Sequence, residues 1–211
     1  MNTLYVRDLE RVTVDVMTAN IINVYKRATN SEMDRGTHWY DEAREHAALV
    51  GSIAGRSMLA GAAAIAVLSP QVEWTVNLAE AYAIASAVAD GVLPDDNTFR
   101  AFKRNVHKAW ACLAWAADDG LGEYVTGPKV MAFYRAIAGL DGGPVVDRHA
   151  VRAATGHGYT AVTARTIGDV QAAYMVAAGI IGRSVHTVQA TSWLVVKRER
   201  ASTVGQLLLG L

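Results

Sequence analysis

The sequence predicts an all-α protein, and three observations support that class. Apolar residues recur at helical spacing through almost the whole chain. No stretch shows the sustained two-residue alternation between turn residues that is typical of hairpin strands. The 211 residues are 52% hydrophobic, which suffices for one substantial core or for two lobes of a single structural unit.

The apolar periodicity and the turn residues divide the chain into helices. Ser69 and Pro70 are expected to join two of them, with the serine as a cap and the proline in the first turn of the following helix. The pair Asp118 and Asp119 with Gly120 predicts a turn. The polar stretch 28–32 is expected to end the first predicted helix, which begins near 9, and to separate it from the second. The other predicted helices cover about 39–54, 58–68, 70–89, 98–117, 129–138 and 147–156, and two more begin near 167 and 184.

Composition excludes several classes of protein. Lysine plus arginine and aspartate plus glutamate each number 20, so no strong overall field favours a nonspecific DNA coat, although a local basic face is compatible with this balance. The single cysteine, Cys112, excludes a disulfide framework and an all-cysteine metal site. The apolar stretch 58–68 is about half as long as a membrane span, and no signal peptide is visible. We therefore expect a cytoplasmic protein without a metal site.

The most informative segment contains two short motifs. Gly127, Pro128 and Lys129 form the first, and Asp147 and His149 belong to the second, Val-Asp-Arg-His, which lies just after a Gly-Pro pair. Asp147 follows Lys129 by eighteen residues. This pattern resembles the helix-hairpin-helix/Gly-Pro-Asp (HhH-GPD) superfamily of DNA glycosylases, to which endonuclease III belongs, and in particular its divergent phage-type members.

A second match lies earlier, in the residues Ala66 to Gln71 and in Asn77, which resemble a helix boundary of the same superfamily. The matching region is roughly 58–156. Two departures stand out. Val125 replaces the first hairpin glycine, and Pro128 removes an amide donor, so this hairpin should hold a phosphate more weakly. The four-cysteine cluster of many relatives is absent, and no cofactor is expected.

The resemblance implies a two-lobed all-α fold with a cleft between the lobes. One lobe is expected to be a helical barrel with the hairpin, residues 58–138, and the other to combine 1–57 with 139–211. The implied function is that of a DNA glycosylase with associated AP lyase activity. Its partner would be double-stranded DNA carrying a damaged or modified base, which is flipped out of the stack.

Residue roles follow from the same resemblance. Lys129 would attack the sugar carbon and form a Schiff base, and Asp147 would stabilise the positively charged transition state. Each has a simpler alternative, because Lys129 suits a solvated helix start and Asp147 is a good N-cap. The expected DNA-binding residues are Gln71, Arg104, Lys108, Gly127 and His149. Of these, Arg104 and Lys108 share a helix face with Lys103 nearby, and His149 has a structural hydrogen bond as its alternative role.

Two other functions remain open at this stage. The first is an enzyme of thymine hypermodification on the same scaffold, which replaces a pyrophosphate on a modified base with an amine. The second is a DNA-binding module without catalytic activity. The base recognised and the oligomeric state are not specified by the sequence.

Overall fold

A computed structural model describes residues 12–95, 97–156 and 162–208, with side chains described up to residue 202. Within these residues the protein is all-α, as predicted, and contains no strand. The helices are α1 (Val14–Lys26), α2 (Asn30–Ile53), α3 (Met58–Leu68), α4 (Trp74–Ala89), α5 (Lys103–Ala114), a 3-10 helix (Asp118–Glu123), α6 (Pro128–Ala138), α7 (Arg148–Thr155), α8 (Ala164–Ile181) and α9 (Val185–Leu208).

The chain forms two compact units. The central unit is Tyr40–Gly142, and the terminal unit combines the residues up to Trp39 with those from Gly143 onward. The lobe expected from the sequence, residues 58–138, is therefore shorter than the central unit. The C-terminal half of α2 belongs to the central unit because His46 Nδ1 lies 2.8 Å from the Tyr82 hydroxyl of α4 and Arg44 donates to the carbonyl of Ile137 on α6 at 3.0 Å.

Helix α3 forms the core of the central unit. Every residue from Ala60 to Leu68 is buried, because the helix packs against α4, α5 and α6. The small alanine side chains allow close approach of the neighbouring helices. Asn77 on α4 donates its side-chain amide to the carbonyl of Ile65 at 3.1 Å, which satisfies a buried polar group between α3 and α4.

The terminal unit has its own apolar core, built from α1, α7, α8 and α9. Tyr174 on α8 is its largest fully buried side chain. Met17 and Ile21 from α1, Val151 from α7 and Val195 from α9 are also buried in the same cluster. This arrangement matters for the candidate site, because it packs the short helix α7 against α9.

The start of α2 differs from the sequence-based prediction. Residues 28–32 were expected to separate two helices, but α2 begins at Asn30. Glu32 accepts the backbone amide of Thr29 at 2.9 Å, and the amide of Glu32 donates to the Thr29 hydroxyl at 3.2 Å. This reciprocal capping box satisfies two amides that would otherwise lack helical partners, so the polar stretch begins a helix.

The junction between α3 and α4 also corrects the prediction. Ser69 is the C-cap of α3, Pro70 lies in a turn, and α4 begins only at Trp74, after the N-cap residue Glu73. Gln71 has a φ of 65° and provides the left-handed conformation that this turn requires. Ser69 and Pro70 therefore end one helix without starting the next.

Helix α5 is shorter than the predicted 98–117, since it covers Lys103–Ala114. The carboxylate of Glu80 on α4 accepts the backbone amides of Arg100 and Ala101, the latter at 3.2 Å. These amides are thus held outside a helix by a buried carboxylate, and the helix begins after them.

No single helix of the described residues is long and apolar enough to cross a membrane, and the pair α2 and α3 meets that criterion only when joined across a bend of 109°.

Gly36 allows the close approach of α2 to α9 in the terminal unit. A Cβ at this position would lie 2.9 Å from the Thr191 Cα, and Thr191 is fully buried. Helix propensity alone favours alanine over glycine by about 1 kcal/mol, whereas overpacking of a core costs about 1–3 kcal/mol. The steric effect should prevail because a backbone atom has to move.

We therefore expect Gly36→Ala to lower the free energy of unfolding, measured by urea denaturation, by about 1–2 kcal/mol. Gly179→Ala on α8 is the matched control, since a Cβ there meets no atom within 4 Å. It should raise stability by up to about 1 kcal/mol. A stabilising effect of Gly36→Ala would contradict the close packing of α2 and α9.

Candidate functional site

The predicted hairpin is a turn that leads from the 3-10 helix into α6. Val125 is buried and anchors this turn, whereas Thr126 and Gly127 are exposed. Gly127 is the N-cap of α6 with a φ of 90°, and Pro128 occupies the first turn, where no amide donor is needed. Lys129 follows as the second residue of α6 and is partly buried.

A cavity of about 290 Å³ lies beside this turn, within the central unit. Its polar lining includes Arg104, Asn105 and Lys108 from α5, and Tyr124 and Thr126 from the turn. The Nζ of Lys108 donates to the Thr126 hydroxyl at 2.7 Å. The structure thus brings the predicted residues Arg104 and Lys108 to the segment that contains Gly127.

The third basic residue of that region, Lys103, is oriented differently. Its Nζ donates to the side-chain carbonyl of Asn97 at 2.8 Å, near Asp95. Of the lysine and arginine residues of α5, Arg104 and Lys108 are therefore the ones that line the cavity beside the turn. Gln71 is exposed in the turn after α3, and its neighbour Pro70 lines the same cavity. A left-handed non-glycine residue is uncommon and often marks a functional position.

Aromatic rings stack on nucleobases, and the central unit carries three tryptophans, Trp74, Trp110 and Trp115. Trp115 is 59% exposed, and its indole Nε1 donates to the Tyr124 hydroxyl at 3.2 Å. Trp110 packs edge-on against it, with ring centroids 4.4 Å apart. Trp74 instead contacts His46 and Phe133. Trp115 therefore has an exposed ring, and it contacts Tyr124, which lines the cavity.

Asp147 caps α7 in the terminal unit. Its Oδ1 accepts the backbone amides of His149 at 2.9 Å and Ala150 at 2.8 Å. Both hydrogen bonds go to one oxygen, so Oδ2 takes no part in the cap. The carboxylate is partly exposed. The simpler role foreseen for Asp147, an N-cap, is thus present in the structure, and the geometry leaves one oxygen for another partner.

His149 lies in a basic environment. Its ring packs edge-on against Trp193 of α9, with centroids 6.0 Å apart, and its Nδ1 is buried without a hydrogen-bond partner among the described residues. Burial is the main reason that the pKa of His149 is below its ordinary value. Nearby cations lower the pKa further, while Asp147 opposes them.

The cations near His149 are Arg152, Lys197 and Arg200, and Arg148 adjoins Arg152. The sequence did not predict that these four residues form one group. We call Arg148, Arg152, Lys197 and Arg200 the basic cluster. Arg148 and Arg152 lie four residues apart on α7, and Lys197 and Arg200 lie three apart on α9, which packs against α7. The Lys197 Nζ lies 4.5 Å from the centroid of the Trp193 ring. The spacing within each helix was visible in the sequence, but the pairing of these two helices was not.

The central unit carries Lys129, and the terminal unit carries Asp147. The other predicted residues divide in the same way, with Gln71, Arg104, Lys108 and Gly127 on the central unit and His149 on the terminal unit.

Two other kinds of chemistry find little support among the described residues. Burial raises the pKa of the Cys112 thiol to about 12, so this side chain is not a nucleophile at neutral pH. No group of three or more histidine, cysteine, aspartate or glutamate side chains suited to a metal ion occurs in the described part of the chain.

Comparison with known proteins shows the family of this chain. It belongs to a family of unknown function, DUF7178, whose model matches residues 5–201. No curated protein and no solved structure matches the sequence.

The environment of His149 gives a prediction that does not depend on function. Its pKa, measured by NMR titration of the imidazole resonances, should lie below 6.5. Arg200→Gln should raise it, because Arg200 is one of the cations that lower it, but only partly, because burial is the larger cause. Arg165→Gln on α8 is the control and should leave it unchanged.

The lowered pKa of His149 also predicts how the stability of the protein depends on pH. Because the folded protein binds this proton less tightly than the unfolded chain, the free energy of unfolding should decrease as the pH falls through about 6.5. An imidazole pKa above 6.5 in the folded protein would contradict the described environment.

Proposed function

We propose that this protein is a DNA glycosylase with associated AP lyase activity, in which Lys129 is the nucleophile and Asp147 the assisting carboxylate. The observation that carries the proposal is the contact of Lys108 with Thr126. Lys108 is a cation at the turn that leads directly into Lys129, and the same turn borders a cavity with a polar lining. A turn with two neighbouring cations is suited to a DNA phosphate.

The proposed reaction proceeds in two steps. The unprotonated Lys129 amine attacks C1′ of a flipped nucleotide, so that an N–C1′ bond forms and the glycosidic bond breaks, and the base leaves with a proton. Opening of the sugar ring completes this step, because the C1′–O4′ bond breaks, the amine proton passes to O4′ and a Schiff base forms between Lys129 and C1′. The Schiff base makes the C2′ proton acidic. Its removal breaks the bond between C3′ and its phosphate oxygen, which cleaves the strand.

The setting of Asp147 supports its assigned role. In the first step, positive charge develops on the sugar, and a nearby carboxylate stabilises it. The cap fixes the carboxylate through Oδ1 without occupying Oδ2. A preoriented anion is more effective than a mobile one because it needs no reorganisation during the reaction.

Borohydride trapping on DNA with an abasic site tests the nucleophile. Reduction of a Schiff base links protein and DNA covalently, and neither a hypermodification enzyme nor a binding module should give this product. We expect Lys129→Gln to abolish trapping while circular dichroism and thermal unfolding stay unchanged. Lys103→Gln, which alters a lysine bonded to Asn97, is the matched control and should trap like the wild type. Trapping by Lys129→Gln would assign the nucleophile to another residue.

Asp147→Asn separates catalysis from capping. Asparagine caps a helix nearly as well as aspartate, so the free energy of unfolding should change by less than about 1 kcal/mol. Single-turnover base release should fall by about 10²–10³-fold, the scale expected when stabilisation of transition-state charge is lost. Asp147→Ala also loses the cap and should cost about 1 kcal/mol of stability in addition. Wild-type turnover by Asp147→Asn would reduce the role of this residue to that of a cap.

A further inference from the structure

The terminal unit carries its own concentration of positive charge, the basic cluster. Arg148 and Arg200 of the basic cluster are exposed, and Arg152 and Lys197 are partly buried. Burial is the main reason that the pKa of Arg152 is below its ordinary value, and the charges of Arg200 and Arg148 lower it further. Four cations on two packed helices repel one another, an arrangement that favours an anionic partner.

Neighbouring acidic side chains form their ion pairs away from the three arginines of this cluster. Glu199 on α9 pairs with Arg27 at 2.8 Å, and Arg198 pairs with Glu32 at 2.8 Å. Residues 198 and 199 therefore face α1 and the start of α2, whereas Lys197 and Arg200 are neighbours of His149 on α7. No ion pair with Arg148, Arg152 or Arg200 occurs within the described residues. Asp147 is the carboxylate adjacent to the cluster, and its Oδ1 is used in the cap.

Aromatic groups adjoin the same cations. Trp193 contacts the Lys197 ammonium on its face and the ring of His149 at its edge, and Trp39 of α2 packs against it with centroids 6.1 Å apart. Basic side chains interleaved with aromatic rings are typical of nucleic-acid surfaces, where cations contact phosphates and rings contact sugars or bases. Because the overall charge of the protein is neutral, nonspecific coating of a polyanion is not expected, and one localised contact is favoured.

We infer that the basic cluster binds backbone phosphates of double-stranded DNA. The inference rests on the proposed function for its choice of DNA, and it extends that function by assigning phosphate contacts to the basic cluster of the terminal unit. Arginine suits this role because its planar guanidinium donates two hydrogen bonds to a phosphate at once. Arg148 and Arg200 contact the DNA from the exposed part of the cluster.

Fluorescence anisotropy with a labelled, unmodified DNA duplex tests the inference over a series of NaCl concentrations. The test variant is Arg148→Glu with Arg200→Glu, and the control is Arg165→Glu with Arg183→Glu. All four arginines are exposed residues of the terminal unit, so both variants change the net charge equally. Circular dichroism verifies folding, and the neutral pair Arg148→Gln with Arg200→Gln replaces the test variant if the reversed charges prevent folding.

We expect the test variant to lower DNA affinity at least tenfold at about 0.1 M salt and to flatten the slope of log K against log salt by nearly 2, since each lost phosphate contact contributes about 0.9. The glutamine pair should flatten the slope by a similar amount. The control should stay within about twofold of the wild type. Equal losses in both variants, or none in either, would overturn the inference.

The outcome is distinguishable from failure of the proposed chemistry. If wild-type protein is not trapped by borohydride but the test variant loses affinity selectively, the glycosylase mechanism is wrong and the DNA contact stands. If trapping depends on Lys129 but the test variant binds DNA like the wild type, the mechanism stands and the basic cluster has another role.

Discussion

The cap formed by Asp147 determines where the functional side chains of α7 lie. This helix has only eight residues, too few to be stable in isolation. Two amides at its start donate to one carboxylate oxygen, and its buried face packs into the core of the terminal unit. Arg148 and Arg152 are placed relative to α9 by that start and that packing. A change in the cap would therefore displace Arg148 and Arg152 of the basic cluster.

This coupling explains why stability and function have to be measured separately at Asp147. The carboxylate that accepts the amides of His149 and Ala150 also raises the pKa of His149, which several cations lower. Those cations repel one another and reduce the stability of the folded protein, and the core beneath α7 offsets this effect. Surfaces that bind anions commonly combine such local repulsion with a well-packed support.

Sequence reasoning identified the elements whose signals are local. It predicted the all-α class, the limits of α3 and the helix that begins after Asp147, because alanine-rich periodicity and an N-cap residue act within one turn. It missed the start of α2, where Thr29 and Glu32 form a capping box in a stretch interpreted as a break. It also placed Ser69 and Pro70 at a helix start, although Gln71 turns the chain there.

The sequence alone predicted only part of the candidate site. Lys129, Asp147 and the neighbours of Gly127 came from motif spacing, whereas the basic cluster depends on which helices pack together. Lys197 and Arg200 lie far along the chain from Arg148, and only the packing of α7 against α9 makes them neighbours. A chain with equal numbers of acidic and basic residues presents a positive surface only if its carboxylates are engaged elsewhere. Glu32 and Glu199 are engaged in this way, since their ion pairs hold them on the opposite side of α9. Local pairing, and not net charge, therefore determines where positive charge is concentrated on this protein.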